Sequence, residues 1–186
     1  MNKYKDLDKI INENSQITSI LASGYRRHSV VANILGQFGS RVMLWQTNSA
    51  YFPCNRMQLY YGVRLRFLCD TYKDDFDVLV VDSFRDCFNT KETIEFIEYV
   101  KSKNEFTNKK FIFIFTAVEM GKKFDIDSFT NFKETIEKLS DDIFLLRRTE
   151  NYDILSLENC KTKEVEKYSY VMDATYNDML VKVKDE

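Results

Sequence analysis

The chain is 186 residues long with a formal charge of −2, and it carries 15% aromatic residues against one Pro and five Gly. That length suits one well-buried domain, and the aromatic-rich, Gly- and Pro-poor composition excludes both a disordered polymer and a glycine-cradled ligand site. The near-balanced charge excludes a global attraction to phosphate backbones, so any nucleic-acid contact is expected to be local or shared with a partner.

Tyr4, Leu7, Ile10 and Ile11 recur at helical spacing and predict a short N-terminal amphipathic helix leading into a strand at Ile17 to Ala22. After Gly24, the residues Val30, Val31, Ile34, Leu35 and Phe38 fall on one helical face. Gly36 and Gly39 supply stop signals before a strand at Val42 to Trp45. Strand, turn, helix and strand make a βαβ unit. Residues 57–72 are ambiguous, because Val63, Leu65 and Phe67 alternate with Arg64 and Arg66 as a strand would, while a helix before Phe76 is equally allowed.

Val78 to Asp82 follows as a core strand: an unbroken apolar run ending in a carboxylate. Asn89, with Glu92 three residues later, matches a capping box for a helix carrying Ile94, Ile97 and Val100. Phe111 to Thr116 is too continuously apolar for a sheet with one wet face and predicts a central strand covered on both sides. Phe129, Phe132, Ile136 and Leu139 mark another helix. The tail then turns to three strands, Ile143 to Leu146, Ile154 to Leu157 and Tyr168 to Met172, the first two joined as a hairpin through Thr149 to Tyr152. The expected fold class is α/β, with a mostly parallel central sheet, flanking helices and a C-terminal antiparallel β extension, as one domain over residues 1–186.

Cys54, Cys69, Cys87 and Cys160 include no C-x-x-C pair, and the lone His28 completes no zinc spacing, so reduced thiols and no metal are expected. The first residues lack the charged-then-apolar layout of a signal peptide, and no apolar run approaches the ~20 residues of a membrane helix. A nuclear or cytoplasmic protein, neither secreted nor in a membrane, is the expectation.

The element order, with its acid-ended third core strand, a fourth strand ending in Thr116 and a closing β-hairpin, resembles the RecA/RadA recombinase core and its eukaryotic paralogues over about residues 16–180. Val42 to Pro53 is similar to that family's strand ending in Asp-Thr-Glu-Gly followed by an aromatic and a proline, with Thr47, Tyr51 and Pro53 in register and Arg56 one place late. Val78 to Ser83 resembles its acid-Ser strand end, and Tyr168 to Asp178 its closing strand and Gly-Ile-x-Asp turn.

The departures from the family concern chemistry. A phosphate-binding loop needs G-x-x-x-x-G-K-[ST], whose glycines let backbone N–H groups surround the phosphates while the Lys neutralises them. The matching window runs from Ala22 to Ser29: Ala22 and Arg27 replace the glycines, and His28 replaces the Lys. Ser29 stands at the magnesium-binding hydroxyl position. Arg26, Arg27 and His28 form a basic turn that is either solvated or an anion grip. The resemblance places Asn48 where a glutamate would position the hydrolytic water, and an amide is no general base. Ala117 and Val118 take the place of the polar pair that senses the nucleotide or DNA.

Arg26, Arg27, His28, Ser29, Asn48 and Asp82 are therefore expected to form a vestigial nucleotide site with no cofactor and no catalytic residue. Lys122 and Lys123, in the loop matching the family's DNA-binding loop, are candidate DNA contacts of about one phosphate each. Tyr51, Phe52, Tyr60 and Tyr61 break the core periodicity and are candidates for a partner interface, with core packing as the alternative.

The resemblance implies a non-catalytic recombinase paralogue, similar to the small members of Shu-type complexes that lack an intact phosphate loop. Such a protein is a heterodimeric adaptor that pairs with another paralogue and modulates recombinase filaments in homologous recombination and DNA repair. Two alternatives stay open. One is a divergent P-loop ATPase using Arg26 or Arg27 with Ser29 and Asp82 on magnesium; the other is a virus-encoded DnaB-like binder of replication proteins.

Overall fold

The computed structural model describes residues 15–23, 41–46, 57–60, 65–82, 90–117, 133–148, 154–172 and 178–182. The described strands are β1 (Ile17–Ser23), β2 (Val42–Gln46), β3 (Met57–Tyr60), β4 (Val78–Asp82), β5 (Lys110–Ala117), β6 (Asp142–Arg148), β7 (Ile154–Asn159), β8 (Val165–Met172) and β9 (Asp178–Lys182). They form one sheet in the order β3-β2-β4-β5-β1-β6-β7-β8-β9. The described helices are α1 (Leu65–Thr71), α2 (Thr90–Ser102) and α3 (Lys133–Leu139), with a 3-10 turn at Asn104–Phe106.

The expected α/β architecture is present. From β3 to β6 every neighbouring pair is parallel, and β6 to β9 pair antiparallel. One detail corrects the sequence reading: Ile143 to Leu146 belongs to the parallel core, because β6 runs parallel to β1 in the register Thr18↔Asp142 to Ala22↔Leu146. The antiparallel extension therefore begins with β7. The tail also has a strand that the sequence reading did not foresee, β9, which pairs with β8 from Met172↔Asp178 to Tyr168↔Lys182.

The ambiguous stretch 57–72 divides into the edge strand β3 and the helix α1. Leu65, Leu68 and Cys69 are buried at helical spacing, whereas Phe67 is 60% exposed. The alternation that suggested a strand therefore loses to a three-and-four-residue stripe. The expected N-terminal helix, the helix over Ser29 to Phe38 and the turn Thr149 to Tyr152 lie outside the described residues.

The connections β3 to β4, β4 to β5 and β5 to β6 all travel in the same direction across the sheet. Right-handed crossover then puts α1, α2 and α3 on one face. The packing agrees: Leu65 and Leu68 of α1, Phe96, Ile97 and Val100 of α2, and Ile136 of α3 share one core with Ile17, Leu21, Met43, Trp45, Leu79, Val81, Phe111, Phe113, Phe115, Ile143 and Leu145. These strand residues alternate along each strand, as the pleat requires. Phe111 is the hub, packed edge-to-face on Phe76 at 6.0 Å, Phe96 at 6.5 Å and Phe106 at 5.7 Å between ring centres. The intervening residues Ile20, Val80, Ile112 and Ile114 are also fully buried, so the central strands are covered on both sides, as the unbroken apolar run of β5 requires.

The amino edge of the sheet is tied by polar contacts. The Asp141 carboxylate accepts from the backbone N–H of Gln16 at 2.9 Å and of Ile17 at 2.8 Å, and the Asp141 N–H donates to the Ile17 carbonyl at 2.8 Å. Gln16 Nε2 donates to the Phe106 carbonyl at 2.9 Å, and Lys109 Nζ to the Phe76 carbonyl at 2.7 Å. The buried hydroxyls of Ser19 and Ser140 bond to each other at 2.7 Å. Lys161 Nζ donates to the Ser140 carbonyl at 3.0 Å and also to that of Asp141, fastening the β7–β8 turn to the start of β6.

Candidate functional site

In a parallel sheet all strands expose their carboxyl ends along one edge, and ligands of open α/β folds sit where neighbouring strands send the chain in opposite directions. That switch point is readable from the strand order. β1 is followed by β2, which lies toward one end of the sheet, while its neighbour β5 is followed by β6, which lies toward the other. The adjoining ends are Ala22 and Ser23 of β1, paired with Thr116 and Ala117 of β5. Ala22 and Ser23, the first two residues of the degenerate phosphate-loop window, therefore lie at the switch point, and the rest of the window lies outside the described residues.

Asp82 is the last residue of β4 and stands in register with Gln46, the last residue of β2. β5 lies between β4 and β1, so β4 and β1 are about 10 Å apart, two strand spacings, and the registers set the end of β4 about two residues short of Ala22 along the strands.

Of the other residues singled out from the sequence, Tyr60 closes the edge strand β3 in register with Trp45. Arg26, Arg27, His28, Ser29, Asn48, Lys122, Lys123, Tyr51, Phe52 and Tyr61 lie outside the described residues. Gln46 was missed by the sequence reading. Only the pairing of β2 with β4 brings it beside Asp82, and that pairing leaves no local signature in either strand.

The shifted titratable groups among the described residues sit elsewhere. Burial pushes Lys110, at the amino end of β5, down to about 8, against the opposing pull of Asp142 and Asp141. Burial raises the Cys69 thiol well above its ordinary range, with the Asp70 charge adding to it, and it also raises Cys160. Both are free thiols poorly disposed to ionise, which suits structural rather than nucleophilic cysteines. On α2, burial and the hydrogen bond to Asp70 raise the Tyr99 hydroxyl. Its ring is flanked by the Arg66 guanidinium at 5.1 Å and the Lys103 ammonium at 5.4 Å. No helix among the described residues is long and apolar enough to cross a membrane.

Neither protein-family models nor curated protein sequences match this chain. Solved structures do. The crystal structure of the RadB recombinase superposes with a TM-score of 0.59 at 12% identity, over 90% of this chain and 94% of that one. The fold is RecA-like. At that identity the likeness speaks for the sheet and its flanking helices, so the chemistry must be argued from this chain's own residues.

Proposed function

We propose that this protein is a non-catalytic recombinase paralogue, an adaptor that pairs with another paralogue and modulates recombinase filaments in homologous recombination and DNA repair. The observation that carries the reading is a contrast at one place. A RecA-like sheet presents its switch point at the ends of β1 and β5, and the residues that begin there, Ala22 to Ser29, lack both glycines and the lysine that triphosphate binding requires. Arg27 puts a bulky charged side chain where backbone would have to approach phosphate, and Asn48 cannot act as a base. Loss of nucleotide chemistry leaves the surface of the fold as the functional part. DNA contact through Lys122 and Lys123 is then weak or shared with the partner, because two lysines neutralise about two phosphates. A nuclear or cytoplasmic site of action follows from this reading.

The test is co-purification from the source cell with mass spectrometry, joined to calorimetric titration of the isolated chain with MgATP. The adaptor reading expects a stable complex with a recombinase paralogue and no ATP binding at micromolar concentrations. Recovery of replicative-helicase components instead would favour a DnaB-like binder, and micromolar ATP binding would defeat the non-catalytic reading.

A second reading has one observation in its favour. Asp82 does end β4 beside the switch point, the place of a magnesium-holding acid in P-loop ATPases. On that reading Ser29 and Asp82 hold the metal and Arg26 or Arg27 replaces the missing lysine. Phosphate release that disappears in Asp82→Ala, with the melting temperature unchanged, would establish it.

A further inference from the structure

We propose that the outer edge of β9 joins two copies of this chain, strand to antiparallel strand, across a two-fold axis at Leu180. β9 is the last strand of the sheet order, paired on one side with β8 and with no further strand among the described residues. A terminal strand carries outward N–H and C=O groups that form a ladder with any extended chain laid beside it. What selects the occupant is the sequence of the strand, Asp178-Met179-Leu180-Val181-Lys182. Turned antiparallel on itself about its central residue, it sets Asp178 opposite Lys182 of the second copy at both ends, Met179 opposite Val181, and Leu180 opposite Leu180. Opposite charges facing across an antiparallel pair stabilise it, and like charges facing destabilise it.

The pattern also selects polarity and favours one register. Parallel pairing would set Asp178 against Asp178 and Lys182 against Lys182, and sliding the antiparallel pair by two residues moves Lys182 from Asp178 to Leu180 or Tyr176, with Asp178 meeting an opposite charge, Lys184, in only one of the two slides. The other terminal strand, β3, has no such complementarity: its residues Met57, Gln58, Leu59 and Tyr60 carry no charge to match. A two-fold contact of this kind uses the same patch on both copies and closes on itself, giving a dimer rather than a fibre. It would extend one sheet across both copies. β9 also lies four places from β1 in the sheet, so the switch-point edge is left free in each copy. The proposal is independent of the adaptor reading, which concerns a different partner.

Sedimentation velocity of the full chain across a micromolar concentration series tests it, with circular dichroism as the control for folding. The wild type is expected to show a monomer–dimer equilibrium that weakens as salt is raised. D178K and K182D each put like charges opposite one another at both ends of the contact and are expected to weaken the dimer about tenfold or more. The double variant D178K/K182D restores the opposite pairs and is expected to recover wild-type association. A wild type that stays monomeric throughout the series overturns the proposal. So does a dimer that is indifferent to both single reversals, or one that the double variant fails to rescue while remaining folded.

Discussion

Replacing Asp141 tests whether one carboxylate holds the first strand of the sheet in place. Its Oδ2 accepts both the Gln16 and the Ile17 N–H, and its Oδ1 lies 3.3 Å from Lys101 Nζ. Ile17 is fully buried, so Asp141→Ala strands its N–H away from water at a cost of about 1–3 kcal/mol. The half-buried Gln16 N–H regains partial solvation and costs about 0.5–1 kcal/mol. The Lys101 pair, with side chains 33% and 37% exposed, contributes about 0–0.5 kcal/mol. The central expectation for Asp141→Ala is a loss of about 3 kcal/mol in urea unfolding monitored by circular dichroism. Asp141→Asn keeps an acceptor for both donors but loses the charge, and should cost about 1 kcal/mol. Lys101→Met should cost less than about 0.5 kcal/mol. If Asp141→Ala lost under about 1 kcal/mol, or if Lys101→Met lost as much as Asp141→Ala, the hydrogen-bond account would be refuted.

Phe111→Ala removes the hub of the edge-to-face cluster and should destabilise by about 3–5 kcal/mol, read as the shift in urea midpoint at constant slope. Lys110 is held at about 8 in the folded protein against 10.5 otherwise, so the unfolded chain binds more protons between those values. Stability should therefore rise with pH from about 8 to about 10.5, and that rise should be missing from Lys110→Met when the two unfolding curves are compared pH by pH. Arg147 has its Nε buried without a hydrogen-bond partner, and its ion pair with Glu158 spans 3.7 Å between partly exposed side chains. Arg147→Met should then be neutral to within about 0.5 kcal/mol or slightly stabilising, and a clear loss in the melting temperature would show that the guanidinium has a role not visible in that pair.

The central strands were legible because their composition admits one environment. β4 begins at Val78 and ends at Asp82 as read from its apolar run, and β5 extends the expected Phe111 to Thr116 by one residue at each end. The helix after Asn89 starts at Thr90, where the capping pattern puts it, although its largest fully buried side chain, Phe96, escaped the list Ile94, Ile97 and Val100. Pairing was less legible than the elements themselves. Nothing local in Asp142–Arg148 distinguishes a strand parallel to β1 from the first strand of a hairpin, because β6 is both, parallel on one side and antiparallel on the other. The short β9 escaped because five residues with a charge at each end satisfy no buried-strand pattern. At the candidate site the sequence shows which residues depart from a phosphate loop, and the strand order sets the start of that window, Ala22 and Ser23, at a switch point.

The strand order also separates the amino edge of the sheet from the carboxyl edge at which the window Ala22 to Ser29 begins. Polar contacts tie neighbouring elements at the amino edge: Asp141 on Gln16 and Ile17, Gln16 on Phe106, Lys109 on Phe76, and Arg41 on Asp77 at 3.1 Å just before β2 and β4. The apolar core lies between the sheet and α1, α2 and α3. The window Ala22 to Ser29 begins at the opposite edge, where β1 has already made its pairings with β5 and β6. A change at Asp141 or Phe111 strikes contacts that hold the sheet.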